Sequence, residues 1–341
     1  MIGWAARTSL AVAAMVAFAV IATGCGEKSE EAAGSGEEQL TLALDFYVNP
    51  DHAGIYQALE QGYFEEAGLD VEPQVPSDPS APIREVATGR VDLAISYEPE
   101  VLLARDQGLP VVAVGALVQR PLTSLISLPQ AGIASPQDLA GKTIATAGIP
   151  YQTAFLDAIL EDAGLTPDDV RQVDVGLNLL PAVLSGRADA MLGGFLNVEG
   201  VDLELRGEDP RVVPVDRLGI PTYDELVLVA NSDRIADDPE PIRLFIAALE
   251  RGTRDAASDP DAATEAVLEA GQGLEPRLTA AEVRRTLPLL LPEDAGDAFG
   301  YMDPGEWDRF ARFMSDRGLV DTVPDIYEVV DNGLLPEATQ N

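Results

Sequence analysis

Ala87-Thr88-Gly89-Arg90-Val91-Asp92-Leu93-Ala94 and Leu184-Ser185-Gly186-Arg187-Ala188-Asp189-Ala190-Met191 read alike. Each is the end of a helix, a glycine turn, and a strand that opens on aspartate. Each lies inside a run of alternating strand and helix signals. The echo predicts two related α/β lobes facing each other across a cleft, a geometry that closes on a ligand.

Working outward, the first block reads as strands over 40–44, 69–73, 91–95 and 111–118. Helices are expected over 52–66, ended by Gly68, and over 82–88 and 99–107. The pattern restarts after Pro129. A helix start at Ser135-Pro136 is followed by strands over 142–147, 170–175, 188–192 and 212–215, with helices over 151–163, 179–184 and 198–205 between them. The apolar run 225–230 is expected to be buried. Strand–helix alternation with short glycine-punctuated loops predicts an α/β fold with a mostly parallel sheet. After Asp233 the pattern is helical only, over 239–255, 262–269, 279–290 and 304–318.

Composition narrows the function. The 341 residues carry 22 Lys+Arg against 58 Asp+Glu, a formal charge of −36. Such acidity argues against nucleic acid and against adsorption to anionic lipid through the protein surface. With 46% hydrophobic residues the chain can bury a core. One Cys (Cys25) and one His (His52) exclude an internal disulfide, a Cys₄ zinc site and an iron–sulfur cluster. No metal, cofactor or catalytic residue is expected, because His52 lacks a Ser or Cys system around it.

Residues 1–24 read as a signal peptide: Arg7 precedes an apolar run over 10–22, too short to span a membrane. Ala22-Thr23-Gly24-Cys25 resembles a bacterial lipobox, which makes Cys25 the expected lipidation site. Residues 25–39, rich in Gly, Ser, Ala and Glu, then form a flexible tether. The remaining organisation is expected as lobe 1 over 40–128 and 227–341 and lobe 2 over 129–226.

Family resemblance rests on several stretches. Gly62-Tyr63-Phe64-Glu65-Glu66-Ala67-Gly68-Leu69-Asp70-Val71-Glu72, Gly89 to Ala94 and Asp138-Leu139-Ala140-Gly141-Lys142-Thr143-Ile144 resemble marks of solute-binding proteins of ABC importers. Leu44-Asp45-Phe46-Tyr47-Val48-Asn49-Pro50-Asp51-His52, Ser96 to Glu100, Val173 to Ala182, Gly193 to Glu199 and Pro221 to Val229 are similar to the branch that binds pyrimidine precursors of thiamine. The resemblance implies a type II periplasmic-binding-protein fold with a helical C-terminal tail on the first lobe. It also implies a monomeric, lipid-anchored protein on the extracytoplasmic face of the cell membrane. Such a protein binds formylaminopyrimidine or hydroxymethylpyrimidine and works with permease and ATPase subunits. The alternatives are the same role with riboflavin or a sulfonate as ligand, or an enzyme like the branch's pyrimidine-phosphate synthases. Those enzymes place a His where Glu100 stands here and carry a Cys-rich segment, which this chain lacks after Cys25.

The resemblance puts the ligand at strand C-termini, in keeping with the general rule for open α/β sheets. A 4-aminopyrimidine needs flat apolar faces and acceptors for its amine. The loops after the predicted strands supply Phe46, Tyr97, Phe195 and Tyr223 as rings, with Tyr151 following the Ala147-Gly148-Ile149-Pro150 turn. Phe46 and Tyr47 alternate, so one of the two faces away. Polar candidates are Asp45, Asn49, His52, Glu98, Asn197, Glu199 and Glu225, with Glu199 favoured for the amine edge and Tyr223 and Glu225 alternatively lining the hinge. Segments 44–52, 96–100 and 193–199 contain no Lys or Arg, which disfavours an anionic ligand.

Overall fold

The computed structural model describes residues 37–291 and 298–337. The expected signal segment, Cys25 and the tether as far as Gly36 lie outside the described residues. No helix among the described residues is long and apolar enough to cross a membrane.

The strands are β1 (Glu38–Ala43), β2 (Leu69–Gln74), β3 (Leu93–Ser96), β4 (Val111–Val118), β5 (Thr123–Ser127), β6 (Thr143–Thr146), β7 (Arg171–Asp174), β8 (Ala190–Phe195), β9 (Arg211–Pro214) and β10 (Leu226–Asn231). They form two sheets, β2-β1-β3-β10-β4 and β7-β6-β8-β5-β9. The sequence echo falls at equivalent places in both. Asp92 Oδ2 accepts from the Thr41 N–H (2.8 Å) and hydroxyl (2.7 Å) on β1. Asp189 Oδ2 accepts from the Thr143 N–H (2.8 Å) on β6. In each sheet the aspartate thus clips a strand entry onto the strand beside it, adding a charge-assisted bond where the parallel ladder starts.

The sheets are mixed, not mostly parallel. In each, two strand pairings are parallel and two antiparallel, the antiparallel ones made by β10 in the first sheet and β5 in the second. The reason is the route of the chain. Segment 119–122 carries it from β4 into the second sheet, and segment 215–225 brings it back. A strand entering from the cleft must run away from the cleft, opposite to its neighbours. β5 lies inside 40–128, expected as lobe 1, yet pairs in the second sheet, so the chain passes between the sheets at 119–122 and not at 128. The strand is only five residues of Thr, Ser, Leu and Ile, all buried, with no alternation to mark it. Glu38 and Gln39, expected in the tether, already pair with Leu69 and Asp70.

The helix expected over 52–66 is also interrupted. His52 closes a 3₁₀ turn (Pro50–His52), a helix runs over Ala53–Glu60, and Gly62 at φ +69° re-aims the chain into a second short helix, Tyr63–Glu66. A left-handed residue ends a helix, and glycine takes that conformation without a Cβ clash. The bend lets Phe64 stack on Phe245 of helix Glu240–Ser258 at 4.9 Å.

The C-terminal part packs on the first sheet. β4 stands at its edge with all eight residues buried. Its outer face is covered: the Ala113 N–H donates to the Val329 carbonyl (2.8 Å) and the Ala116 N–H to the Gly300 carbonyl (2.8 Å). This protects an otherwise open strand edge.

Glu225 joins the two crossings. Its carboxylate accepts from the Leu122 N–H (2.7 Å), the Thr123 N–H (2.7 Å), the Thr123 hydroxyl (2.9 Å) and the Tyr223 hydroxyl (3.0 Å). Replacing it strands these donors, each at a cost of about 1–3 kcal/mol when buried. Glu225→Leu is therefore expected to lose at least about 3 kcal/mol in urea unfolding. A loss under about 1 kcal/mol would mean that the crossings hold without it.

Candidate functional site

A pocket open to solvent lies between the C-terminal ends of strands of the two sheets. Asp45, Phe46 and Asn49, following β1, and Tyr97, following β3, form one side. Opposite are Ala147, Ile149, Tyr151 and Gln152, following β6, and Gly193, Phe195, Val198 and Glu199 at the end of β8, with Leu179 beside them.

Asp45 is buried and held from two directions. His52 Nε2 lies 2.8 Å from Oδ1, and the Tyr97 hydroxyl donates to Oδ2 at 3.0 Å. The Asn49 N–H donates to His52 Nδ1 (3.2 Å), so the other ring nitrogen, Nε2, is the donor to Asp45. Each Asp45 oxygen keeps a second lone pair for a donor in the pocket. On the opposite side, Glu199 Oε2 accepts from the Phe195 N–H at 2.7 Å. Burial raises the Glu199 carboxyl above its ordinary range, against the backbone bonds that favour its charge. The Tyr97 and Tyr151 rings sit 5.9 Å apart across the cleft, and burial holds both phenols well above their ordinary range. Phe46 faces the pocket while Tyr47 packs on its edge and points to solvent.

Seven of the expected contacts thus line the pocket: Asp45, Phe46, Asn49, Tyr97, Tyr151, Phe195 and Glu199. The structure takes the other five elsewhere. His52 lies buried behind Asp45. Glu98, the first residue of helix Glu98–Asp106, turns away and accepts the Asp224 N–H at 2.7 Å. Burial, then the charge of Asp224, pushes its carboxyl well above the ordinary range. Tyr223 and Glu225 belong to the crossings, with Glu225 pushed up to about 7 by burial. Asn197 bridges the sheets from the loop after β8: its Nδ2 donates to Asp51 Oδ1 (2.7 Å) and to the Thr286 hydroxyl (2.8 Å) of helix Pro276–Leu290. Asn49 lines the pocket, but its side chain is occupied by the Tyr47 carbonyl and the Asp51 N–H. Gln152, Ile149, Leu179 and Val198 were not expected. The first-turn position of Gln152, directly after Tyr151, was the one available signal.

Lysine, arginine and histidine are absent from the lining. Among the described residues no cluster of three His, Cys, Asp or Glu is arranged to hold a metal ion. The pocket can therefore accept hydrogen bonds and stack flat rings, and it is poorly suited to an anion.

Comparison with known proteins places these features. A family described as NMT1/THI5 like matches residues 49–263. The formylaminopyrimidine-binding protein of Halalkalibacterium halodurans is 36% identical over 280 residues, covering 81% of this chain and 84% of its own. The 4-amino-5-hydroxymethyl-2-methylpyrimidine phosphate synthase of Legionella pneumophila is 28% identical over 308 residues, covering 88% and 93%. Among solved structures, the alkanesulfonate-binding protein of Xanthomonas axonopodis pv. citri superposes with a TM-score of 0.68 at 17% identity, covering 86% of this chain and 98% of its own. The fold is that of periplasmic binding proteins.

Helix Pro276–Leu290 also brings Glu282 against the acids of the second sheet. Burial, then the charges of Glu199, Asp202 and Asp51, raises its carboxyl to about 9. Unfolded, the group titrates near about 4.3. The folded chain therefore holds this proton more tightly, so the stability it contributes is complete below about 4.3 and is lost as pH rises through about 9. Glu282→Gln is expected to flatten the fall in melting temperature between pH 5 and pH 9, on the order of the window set by that shift. An unchanged slope would assign the pH dependence to other acids.

Proposed function

The chain belongs to the NMT1/THI5-like family, and from that premise we propose that it is the solute-binding protein of an ABC importer that closes on a thiamine pyrimidine precursor, formylaminopyrimidine or hydroxymethylpyrimidine. The observation that carries this reading is the pocket itself. Two carboxyl groups, Asp45 and Glu199, face four aromatic rings, Phe46, Tyr97, Tyr151 and Phe195, with no cationic side chain in the lining. An aminopyrimidine donates its amine to a carboxylate and offers ring faces for stacking. A sulfonate would enter a site without a counter-charge, which speaks against the ligand class of the structural neighbour.

The Legionella relative named as a synthase favours a second, enzymatic reading. Against it, the position that the resemblance assigns to a synthase histidine holds Glu100. That side chain is buried away from the pocket, accepts the Ser96 hydroxyl at 2.9 Å, and is raised to about 7 by burial. The proposal divides the chain into a first lobe carrying β1–β4, β10 and the C-terminal helices and a second carrying β5–β9, acting as a monomer. The segment 1–24 would be its signal peptide, and lipid on Cys25 would hold it outside the cell membrane beside the permease.

Calorimetric titration of the protein from Gly26 onward tests the ligand. Either pyrimidine should bind, and Glu199→Gln and Tyr97→Ala should each weaken it about tenfold or more, from lost terms of about 1–3 kcal/mol. Tight binding of riboflavin or a sulfonate with no heat from either pyrimidine would replace this ligand class. Pyrimidine phosphate formed from pyridoxal phosphate would support the enzymatic reading. For the anchor, Cys25→Ser in a bacterial host should move the protein from the detergent phase to the aqueous phase. Retention in the detergent phase would refute lipidation at Cys25.

A further inference from the structure

Resting on the ligand reading above, we propose that Gln152 is the specificity-determining donor of the pocket. Its side-chain N–H reads an oxygen acceptor carried by the ring, and so separates acceptor-bearing rings from rings with an amine or methyl group at that position. Gln152 is the third residue of helix Pro150–Asp162 and is 2% exposed. It lines the pocket together with Asp45 and Glu199. Its orientation is fixed from two sides. The Ala147 N–H donates to Oε1 at 2.8 Å, and because a backbone N–H only donates, the atom it meets is the oxygen. The Nε2 end lies against Gly193, where a Cβ would collide with it. Gly193 itself takes φ +113°, a conformation side chains rarely adopt. The strand end is thus shaped around the amide nitrogen.

Among the described residues Nε2 makes no hydrogen bond, whereas two other polar side chains of the lining donate within the protein. The Tyr97 hydroxyl goes to Asp45, and the Asn49 amide to the Tyr47 carbonyl. A ring that gives its amine to a carboxylate of this pocket meets a buried amide donor at Gln152, in the same wall as the Tyr151 hydroxyl. A carbonyl or hydroxyl oxygen satisfies it. An ammonium has no lone pair to accept with, and a methyl leaves the amide unpaired in a buried site. Sites built to hydrogen-bond a substituent reject analogues lacking it far more strongly than apolar sites reject a change in size.

The test compares wild type with Gln152→Met and Gln152→Leu in calorimetric titrations. The probes are three 4-amino-2-methylpyrimidines that carry formylaminomethyl, aminomethyl or methyl at the adjacent ring carbon. Wild type is expected to prefer the formyl compound by about tenfold or more over both others. In both variants that preference should collapse to within about threefold, the formyl compound binding more weakly and the methyl compound more tightly as the unpaired amide is removed. Met keeps the side-chain volume, and matching melting temperatures would confirm that the variants fold. Equal loss for all three ligands, or an intact preference, would overturn the role of Gln152 while leaving the ligand class standing. Binding of none of the three by wild type would overturn both.

Discussion

One buried carboxyl, Glu225, ties together both passages of the chain between the sheets. Four donors converge on it, two from the outgoing crossing's backbone, one from the Thr123 side chain and one from Tyr223 on the return. Everything in the pocket depends on this knot, because the opposing walls come from different sheets. Strand direction follows from it as well. Both crossings open at the cleft, so β5 and β10 run away from it and the remaining strands bring their C-terminal ends back to it. The side chains that follow those ends are the pocket. A row of rings, Tyr151, Phe155, Tyr223 and Phe310, runs from the pocket wall past the crossing to helix Pro304–Asp316. Packing and the carboxylate network therefore fix the same pair of crossings.

The fold was legible where a local signal coincided with a tertiary role. Asp92 and Asp189 stand at matching strand entries and bind back to β1 and β6, so the echo in sequence is an echo in hydrogen bonding. The antiparallel strands were not legible, because pairing direction is set by where the chain crosses and not by residues within β5 or β10. The helix over 52–66 was read through its break because Gly62 follows an apolar pattern that continues on both sides of it.

The site divides in the same way. Phe46, Tyr97, Phe195 and Glu199, expected because they follow strands and suit a flat ring, line the pocket. Glu98, Asn197 and Glu225 meet the same criterion yet serve the protein. Each is a polar side chain whose partner lies far away in sequence: Asp224 for Glu98, Asp51 and Thr286 for Asn197, Leu122 and Thr123 for Glu225. Position after a strand marks a side chain as facing the cleft end. It does not say whether another group of the protein reaches that side chain before a ligand does.

The acidity of the chain takes on a local meaning at the cleft. Asp51 is pushed well above its ordinary range by burial, then by Asp45, with Glu199 and Glu225 adding to the effect against the Asn197 bond. Carboxyl groups that follow strands of both sheets are therefore brought into one low-dielectric space, where like charges repel more strongly than in water. Such a gathering of acids is favourable only when something near it supplies donors or protons. Asn197 supplies two N–H groups at the rim and Gln152 one amide at the wall. The floor has His52 and Tyr97 turned toward Asp45, but the pocket side of Asp45 and Glu199 still lacks a donor. A weakly basic ring with an exocyclic amine brings that donor with it, whereas an anion adds to the repulsion. In the proposed reading, the choice of an aminopyrimidine over a sulfonate thus rests on the same set of buried acids.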